Sequence, residues 1–281
     1  MIGSAASGAV DACQGLPSRP LAQCPRGAWS GVQGLMTDID DTLTRDGAIE
    51  PVALQALHML HDAGVPVIAI TGRPHGWSLP FAAAWPLVAL VAENGAVALL
   101  PGIDGRVHTE FAQDEATRAH HARRLQAVAA QVLREVPGAT LATDSPGRLT
   151  DIAIDHSEFA HLDADAIARV LAVMRAAGMT ATVSSIHING WFGAHSKWTG
   201  AQWMLQRLFG RRLDDEIGRW VYVGDSTNDQ PMFERFPHGV GVANLRRFAA
   251  ELRHWPAWIT RGERGEGFAE VARALLAALG R

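Results

Sequence analysis

From Val32 onward, short continuous apolar runs alternate with longer stretches in which apolar residues recur every third or fourth position. The runs "GLMT" (34–37) and "VPVIAI" (65–70) have the pattern of parallel strands covered on both faces. Between them, "PVALQALHMLHDAG" (51–64) opens on a proline, carries apolar residues at helical spacing and ends on a glycine, which predicts a capped helix. "LVALVAENGAVALL" (87–100) predicts two strands around an Asn-Gly turn.

The middle of the chain changes rhythm. "DEATRAHHARRLQAVAAQVLREV" (114–136) and "DADAIARVLAVMRAAG" (163–178) read as amphipathic helices, and "RLTDIAID" (148–155) and "MTATVSS" (179–185) as strands. Helices and strands in this proportion predict a small α+β unit with a helix-backed sheet. After Asn189 the first alternation returns: "SKWTGAQWMLQRLF" helical, "WVYVGD" a strand, "PHGVGVAN" holding another, and "GEGFAEVARALLAAL" a closing helix. The fold class is therefore α/β: a parallel-sheet core at 31–102 and 188–281, interrupted by an α+β cap at 103–187. Residues 1–30, rich in Gly, Ala, Ser and Pro without periodicity, read as a flexible extension.

Composition narrows the function more than the fold. Of the 281 residues, 48% are apolar and 19% charged, and the formal charge is −4. With no basic run, that argues against a nucleic-acid surface. No apolar run reaches the ~20 residues of a membrane span, and no signal peptide is read at the N-terminus. The two cysteines, Cys13 and Cys24, form neither a disulfide framework nor a metal knuckle, so a reducing, cytoplasmic location is expected.

The chemistry gathers at three strand ends. "TDIDDTLT" (37–44) crowds Asp38, Asp40 and Asp41 behind a buried run, and like charges placed so need a cation or a reaction to use them. In "ITGR", the Thr71 hydroxyl and the backbone amides that follow could hold phosphate oxygens. In "VGDSTNDQPMF", Asp225 and Asp229 stand four apart, on one side of a helical turn. Clustered oxygen ligands without a soft ligand point to Mg²⁺. Lys197 opens a helix, where an ammonium could hold phosphate and temper nearby carboxylates. Taken singly, each residue has an ordinary reading: Asp40, Asp41, Thr71 and Asp229 as caps or turn formers, Lys197 as a solvated charge. Taken in order, each at a strand end or helix start, they make a joint pattern.

In that pattern, "DIDDTLT", "ITGR", Lys197 and "GDSTNDQPM" resemble the haloacid dehalogenase-like superfamily over about residues 31–279. The cap's position and two-helix pattern resemble the type IIB cap of the Cof, sucrose-phosphatase and trehalose-phosphatase kinds. The resemblance implies a Rossmann-like core and Mg²⁺-dependent hydrolysis of a phosphomonoester through an aspartyl-phosphate. Asp38 would be the nucleophile and Asp40 the general acid and base. Thr71, Gly72 and Lys197 would hold the phosphoryl group, with Asn228 bonding within the site. Asp225 would coordinate Mg²⁺ with Asp38 and the Asp40 carbonyl, while Asp229 would hold the metal through water or support Lys197. Asp41 stands where the family often has glycine; we read it as satisfying a turn.

A cap of this kind selects the leaving group. Candidate substrate contacts are Asp155 and His156 after the cap strand, His187 and Asn189 in "SIHINGW", and Arg73 and Asn94 beside the motifs. Trp191 is the tryptophan nearest the site for sugar stacking. The expected partner is a small phosphorylated metabolite, a sugar phosphate first, acted on by a monomer or small homo-oligomer. Three readings compete. A phosphomannomutase-type mutase would share the nucleophile. A dehalogenase would leave Asp40 without a task. A phospho-accepting signalling module or sugar-phosphate-binding regulator would retain the acidic site without turnover.

Overall fold

The computed structural model of the chain describes residues 18–25 and 27–281. In chain order its strands are β1 (Arg19–Pro20), β2 (Gly34–Thr37), β3 (Thr44–Arg45), β4 (Ala48–Ile49), β5 (Val67–Ile70), β6 (Ala89–Ala92), β7 (Val97–Pro101), β8 (Val107–Phe111), β9 (Thr140–Leu141), β10 (Asp151–Asp155), β11 (Thr180–Val183), β12 (His187–Trp191), β13 (Trp220–Gly224), β14 (Gly239–Gly241) and β15 (Trp258–Ile259). The helices are α1 (Pro51–Asp62), α2 (His75–Ala84), α3 (Glu115–Glu135), α4 (Ala164–Ala176), α5 (Lys197–Phe209), α6 (Leu213–Glu216), α7 (Gln230–Phe233) and α8 (Arg264–Ala278).

The large sheet has the order β1-β15-β14-β13-β2-β5-β6-β7-β8. It is parallel from β1 to β6 and antiparallel at β7 and β8. Side chains alternate across it. Leu35, Val67, Ala69, Val221 and Val223 join one core with Leu57 of α1 and Phe268, Val271 and Leu275 of α8. Met36, Ile68, Ile70, Trp220 and Tyr222 join a second with Ala201, Met204 and Leu205 of α5. Both faces are covered, which is why these strands read as unbroken apolar runs.

The small sheet, β11-β12-β10-β9, is antiparallel. Here alternation separates two environments. Ile152, Ile154 and Ile188 pack with Leu125, Val128 and Val132 of α3 and with Val170 and Met174 of α4. The intervening pairs, Asp151 opposite Trp191, Ala153 opposite Asn189 and Asp155 opposite His187, occupy the other face. Asp114 and Asp163 cap the two helices, accepting from the amides of Thr117 and Ala166.

Three features depart from the expected outline. Residues 18–25 and 27–30, expected to be loose, are packed: β1 extends the large sheet beside β15, and Leu21 and Trp29 are buried in the first core. Their apolar side chains supply the anchoring that a composition rich in small residues conceals. Residues 1–17, with Cys13, lie outside the described residues. Cys24 is a half-buried thiol whose pKa is raised by burial. Against expected cap limits of 103 and 187, β8 stays with the large sheet and β12 with the small one. Among the described residues, no helix is long and apolar enough to cross a membrane.

Candidate active site

The parallel strands end together below the small sheet. Asp38 follows β2 directly, its amide donating to the Val223 carbonyl of β13. Lys197 is the first residue of α5, whose start is fixed by a capping box between Ser196 and Thr199. Gly95 holds this junction close: its φ is +106°, and a Cβ there would lie 2.1 Å from the Ser196 carbonyl oxygen.

Lys197 Nζ donates to Asp38 Oδ1 and to Asp229 Oδ1, each at 2.7 Å, and to Asn228 Oδ1 at 3.4 Å. All four side chains are buried. Asp229 is fully engaged. Its Oδ1 also accepts from the Tyr222 hydroxyl, and its Oδ2 accepts from the amides of Asp225 and Ser226. Asp225 differs: Oδ2 accepts from Asn244 Nδ2 at 3.2 Å, whereas the buried Oδ1 has no partner. Carboxylate oxygens of Asp38, Asp225 and Asp229 lie within 4.8 Å of one another.

The electrostatics follow from that crowding. Burial pushes Asp38 up to about 7, against the pull of Lys197. Burial, then the charges of Asp38 and Asp229, raises Asp225 well above the ordinary carboxylate range. Lys197 is raised despite burial, because Asp229 and Asp38 hold its proton. Three buried carboxylates around one ammonium leave negative charge in excess. With one oxygen unpartnered, the set suits a hard divalent cation.

On the neighbouring strand end, Thr71 Oγ1 accepts from the Arg73 amide at 3.0 Å, which leaves its hydroxyl hydrogen free to donate. Gly72 sits between two amide side chains. A Cβ there would come 3.3 Å from Oδ1 of both Asn94 and Asn189. Its carbonyl accepts from Arg148 Nη1 and Asn189 Nδ2. Glu93, fully buried, accepts from the amides of Leu149 and Thr150 and from the Thr150 hydroxyl. Gly76 and Gly147 meet backbone to backbone, where a Cβ on Gly76 would lie 2.9 Å from Gly147 Cα. The cap is thus pinned to the core beside the Thr71–Arg73 loop.

The residues expected to meet substrate divide. Arg73 lies at the mouth of the site, its Nε donating to both oxygens of Asp40 at 2.9 and 3.0 Å. Asn94 is beside Gly72 with Nδ2 unpartnered. Asp155 instead builds a loop, accepting from the amides of Ser157, Glu158, Phe159 and Ala160. His156 is committed at both nitrogens, donating to the Ser184 carbonyl and accepting from Ser157. Asn189 bonds Gly72 and Asp151, and His187 bonds Glu158. Trp191, the expected stacking platform, is buried with its indole N–H on the His195 carbonyl.

Sequence reasoning missed Asn244, Tyr222, Arg264 and Glu158. Asn244 bridges the Asp41 carbonyl to Asp225, and Arg264 Nε pairs with Asp41 Oδ1 at 2.6 Å. Asp41, with φ of 53°, points to that arginine and not into the carboxylate cluster. No local signal marks these residues; Asn244 and Arg264 lie more than 200 positions along the chain from the Asp41 they touch. Above Asp40 opens a cavity of about 440 Å³, bordered on the cap side by Glu158, Phe159 and Ile186.

A family profile described as haloacid dehalogenase-like hydrolase matches residues 35–132. A phosphoglycolate phosphatase of Methanothrix thermoacetophila is 29% identical over 251 residues, 88% of this chain and 98% of that one. Among solved structures, a Thermoplasma acidophilum protein superposes with a TM-score of 0.66 at 15% identity, covering 88% of this chain and 99% of that one. A sucrose-phosphatase from Synechocystis, solved with sucrose and phosphate, gives 0.62 at 14% identity, covering 87% and 98%. The profile match, and a capped α/β fold shared over most of the chain, make this protein similar to the haloacid dehalogenase-like hydrolases.

Proposed function

We propose that the protein is a Mg²⁺-dependent phosphatase that releases phosphate from a small phosphorylated metabolite through an aspartyl-phosphate at Asp38. The observation that carries this reading is the Asp38 carboxylate, buried and held by Lys197 at 2.7 Å beside an Asp225 oxygen without a partner. Asp38 and Asp225, with the Asp40 carbonyl, would hold Mg²⁺, which when bound neutralises phosphoryl charge and draws Asp38 into its ionised form. Asp229, saturated by four donors, serves as the support of Lys197.

The residues then divide the work. Lys197, the Thr71 hydroxyl and the Gly72 amide bind the phosphoryl oxygens. The Asp38 oxygen not held by Lys197 attacks phosphorus as the ester oxygen leaves. Asp40 gives its proton to that oxygen, then takes one from the water that cleaves the acyl-phosphate. Splitting hydrolysis this way makes two easier steps. The cap excludes bulk water meanwhile.

For the substrate, we propose a small polar phosphate ester: a sugar phosphate, or a short phosphorylated acid like that of the named relative. The cavity of about 440 Å³ and its charged rim suit either. The test is phosphate release from a panel of hexose phosphates and phosphoglycolate, with Mg²⁺ and with chelator. Mg²⁺-dependent release is expected, and its ranking identifies the ester. Turnover indifferent to chelation would overturn the metal's place. No release from any ester would overturn the phosphatase reading.

A further inference from the structure

Asp40 has one side-chain partner among the described residues, the Arg73 guanidinium. That guanidinium is itself shared. Nε faces Asp40 in the core, Nη1 donates to Asp144 at 3.2 Å, and Nη2 donates to Glu158 Oε1 at 3.0 Å. Two of its three carboxylates therefore belong to the cap, and the Arg73 side chain is only 4% exposed between them. A long arginine side chain has about 2 kcal/mol of rotamer freedom, so where Arg73 points depends on what the cap offers it.

Glu158 is built for that offer. Its amide is one of the four held by Asp155, which fixes the loop. Its other oxygen, Oε2, is 2.8 Å from His187 Nε2. Glu158 is ionised: burial would raise it, but the His187 bond and then Arg73 hold it down to about 2. A carboxylate cannot donate, so His187 supplies the proton. Asp155 and His187 face each other on one rung of the small sheet. One rung thus sets both the loop's main chain and the carboxylate it presents.

We propose that Glu158 is a positioning residue for Asp40: by anchoring Arg73 from the cap, it holds the acid/base carboxylate in place only while the cap covers the site. This rests on the phosphatase reading above and adds a residue and a control to it. The link runs His187–Glu158–Arg73–Asp40 and crosses between cap and core once, at the Glu158–Arg73 ion pair. Phosphoryl transfer to Asp38 with proton donation by Asp40 is thereby tied to a covered site.

The test separates positioning from support of the fold. Benzyl phosphate and p-nitrophenyl phosphate are similar in shape, but only the benzyl alcohol needs a proton to leave. With Mg²⁺ present, kcat/KM reports the first phosphoryl transfer. Glu158→Gln is expected to lower kcat/KM for benzyl phosphate by about tenfold or more while changing that for p-nitrophenyl phosphate by about twofold or less. Glu158→Asp, which keeps the charge, is expected to recover part of the loss. His187→Asn, which releases Glu158 without touching Arg73, is expected to give the same split at smaller size. Equal losses on both esters, or no loss on either, would overturn the proposal. A wild-type protein that hydrolyses neither ester would instead overturn the phosphatase reading beneath it.

Discussion

The carboxylates at the strand ends of the large sheet and the polar residues of the cap loop look alike in sequence, yet the structure uses them in opposite ways. In the core, residues named by their motifs point at one another: Asp38, Lys197, Asp225 and Asp229 meet within a few ångströms. In the cap, of the residues that attract notice, Asp155 is spent on the loop's own backbone and His156 on the Ser184 carbonyl and the Ser157 hydroxyl. Their neighbour Glu158 borders the cavity, with Phe159 and Ile186. Parallel strand ends converge by topology, so a motif at each end is enough to place a side chain. A loop must first satisfy its own amides, and the residues that do so are the ones with short polar side chains.

The strongest way to break this contrast is Asp38→Asn. With the proposed nucleophile gone, turnover should fall on the order of 10⁴-fold or more, while circular dichroism and the unfolding midpoint stay near wild type. Activity within tenfold of wild type would mean that the core cluster does not carry the chemistry.

Lys197→Met tests what holds the cluster together. Removing the ammonium leaves Asp38 and Asp229 buried without their cation, at a cost of about 3–5 kcal/mol, read by urea denaturation at neutral pH. A loss under about 1 kcal/mol would show that the carboxylates do not depend on their lysine.

Next in size is the cap loop. Asp155→Ala strips four amides of their acceptor and should cost about 2 kcal/mol, because donors held together against a buried carboxylate are only partly rehydrated in place. If Asp155 instead met substrate, the same change would raise KM and leave stability alone, and the contrast between the two regions would collapse.

These differences explain what was legible in advance. The fold was readable because both faces of the large sheet are covered, so Leu35 and Met36 can be neighbours in sequence and lie in different cores. The meeting of Asp38, Lys197, Asp225 and Asp229 was readable because each ends a strand or starts a helix. Asn244 and Arg264 were not readable: they reach Asp225 and Asp41 from across the fold, and neither stands in a pattern that marks it. The turn-closing bonds of Asp155 and His156 were not readable, because a buried polar residue at a strand end looks the same whether it binds a ligand or closes a turn. Leu21 and Trp29 were hidden by the small residues around them, though both are buried.

The smallest effect expected lies where the two regions join. His195, in the segment returning from β12 to α5, is buried against Trp191, with ring centroids 5.6 Å apart, and neither ring nitrogen has a hydrogen-bond partner. Burial, and then the charge of His121, lowers it from 6.5 to about 4. Between those values the unfolded chain binds a proton that the folded chain refuses, so acid favours unfolding. The contribution is intact above pH 6.5 and is lost as the pH falls toward 4. His195→Phe keeps the ring stack and removes the titration. At pH 7.5 the variant should match wild type closely; by pH 5.5 it should be the more stable by about 1 kcal/mol. Parallel stability curves for the two proteins across that range would show that the junction opens to water and hydrates His195, and that core and cap move apart more readily than their tight glycine contact implies.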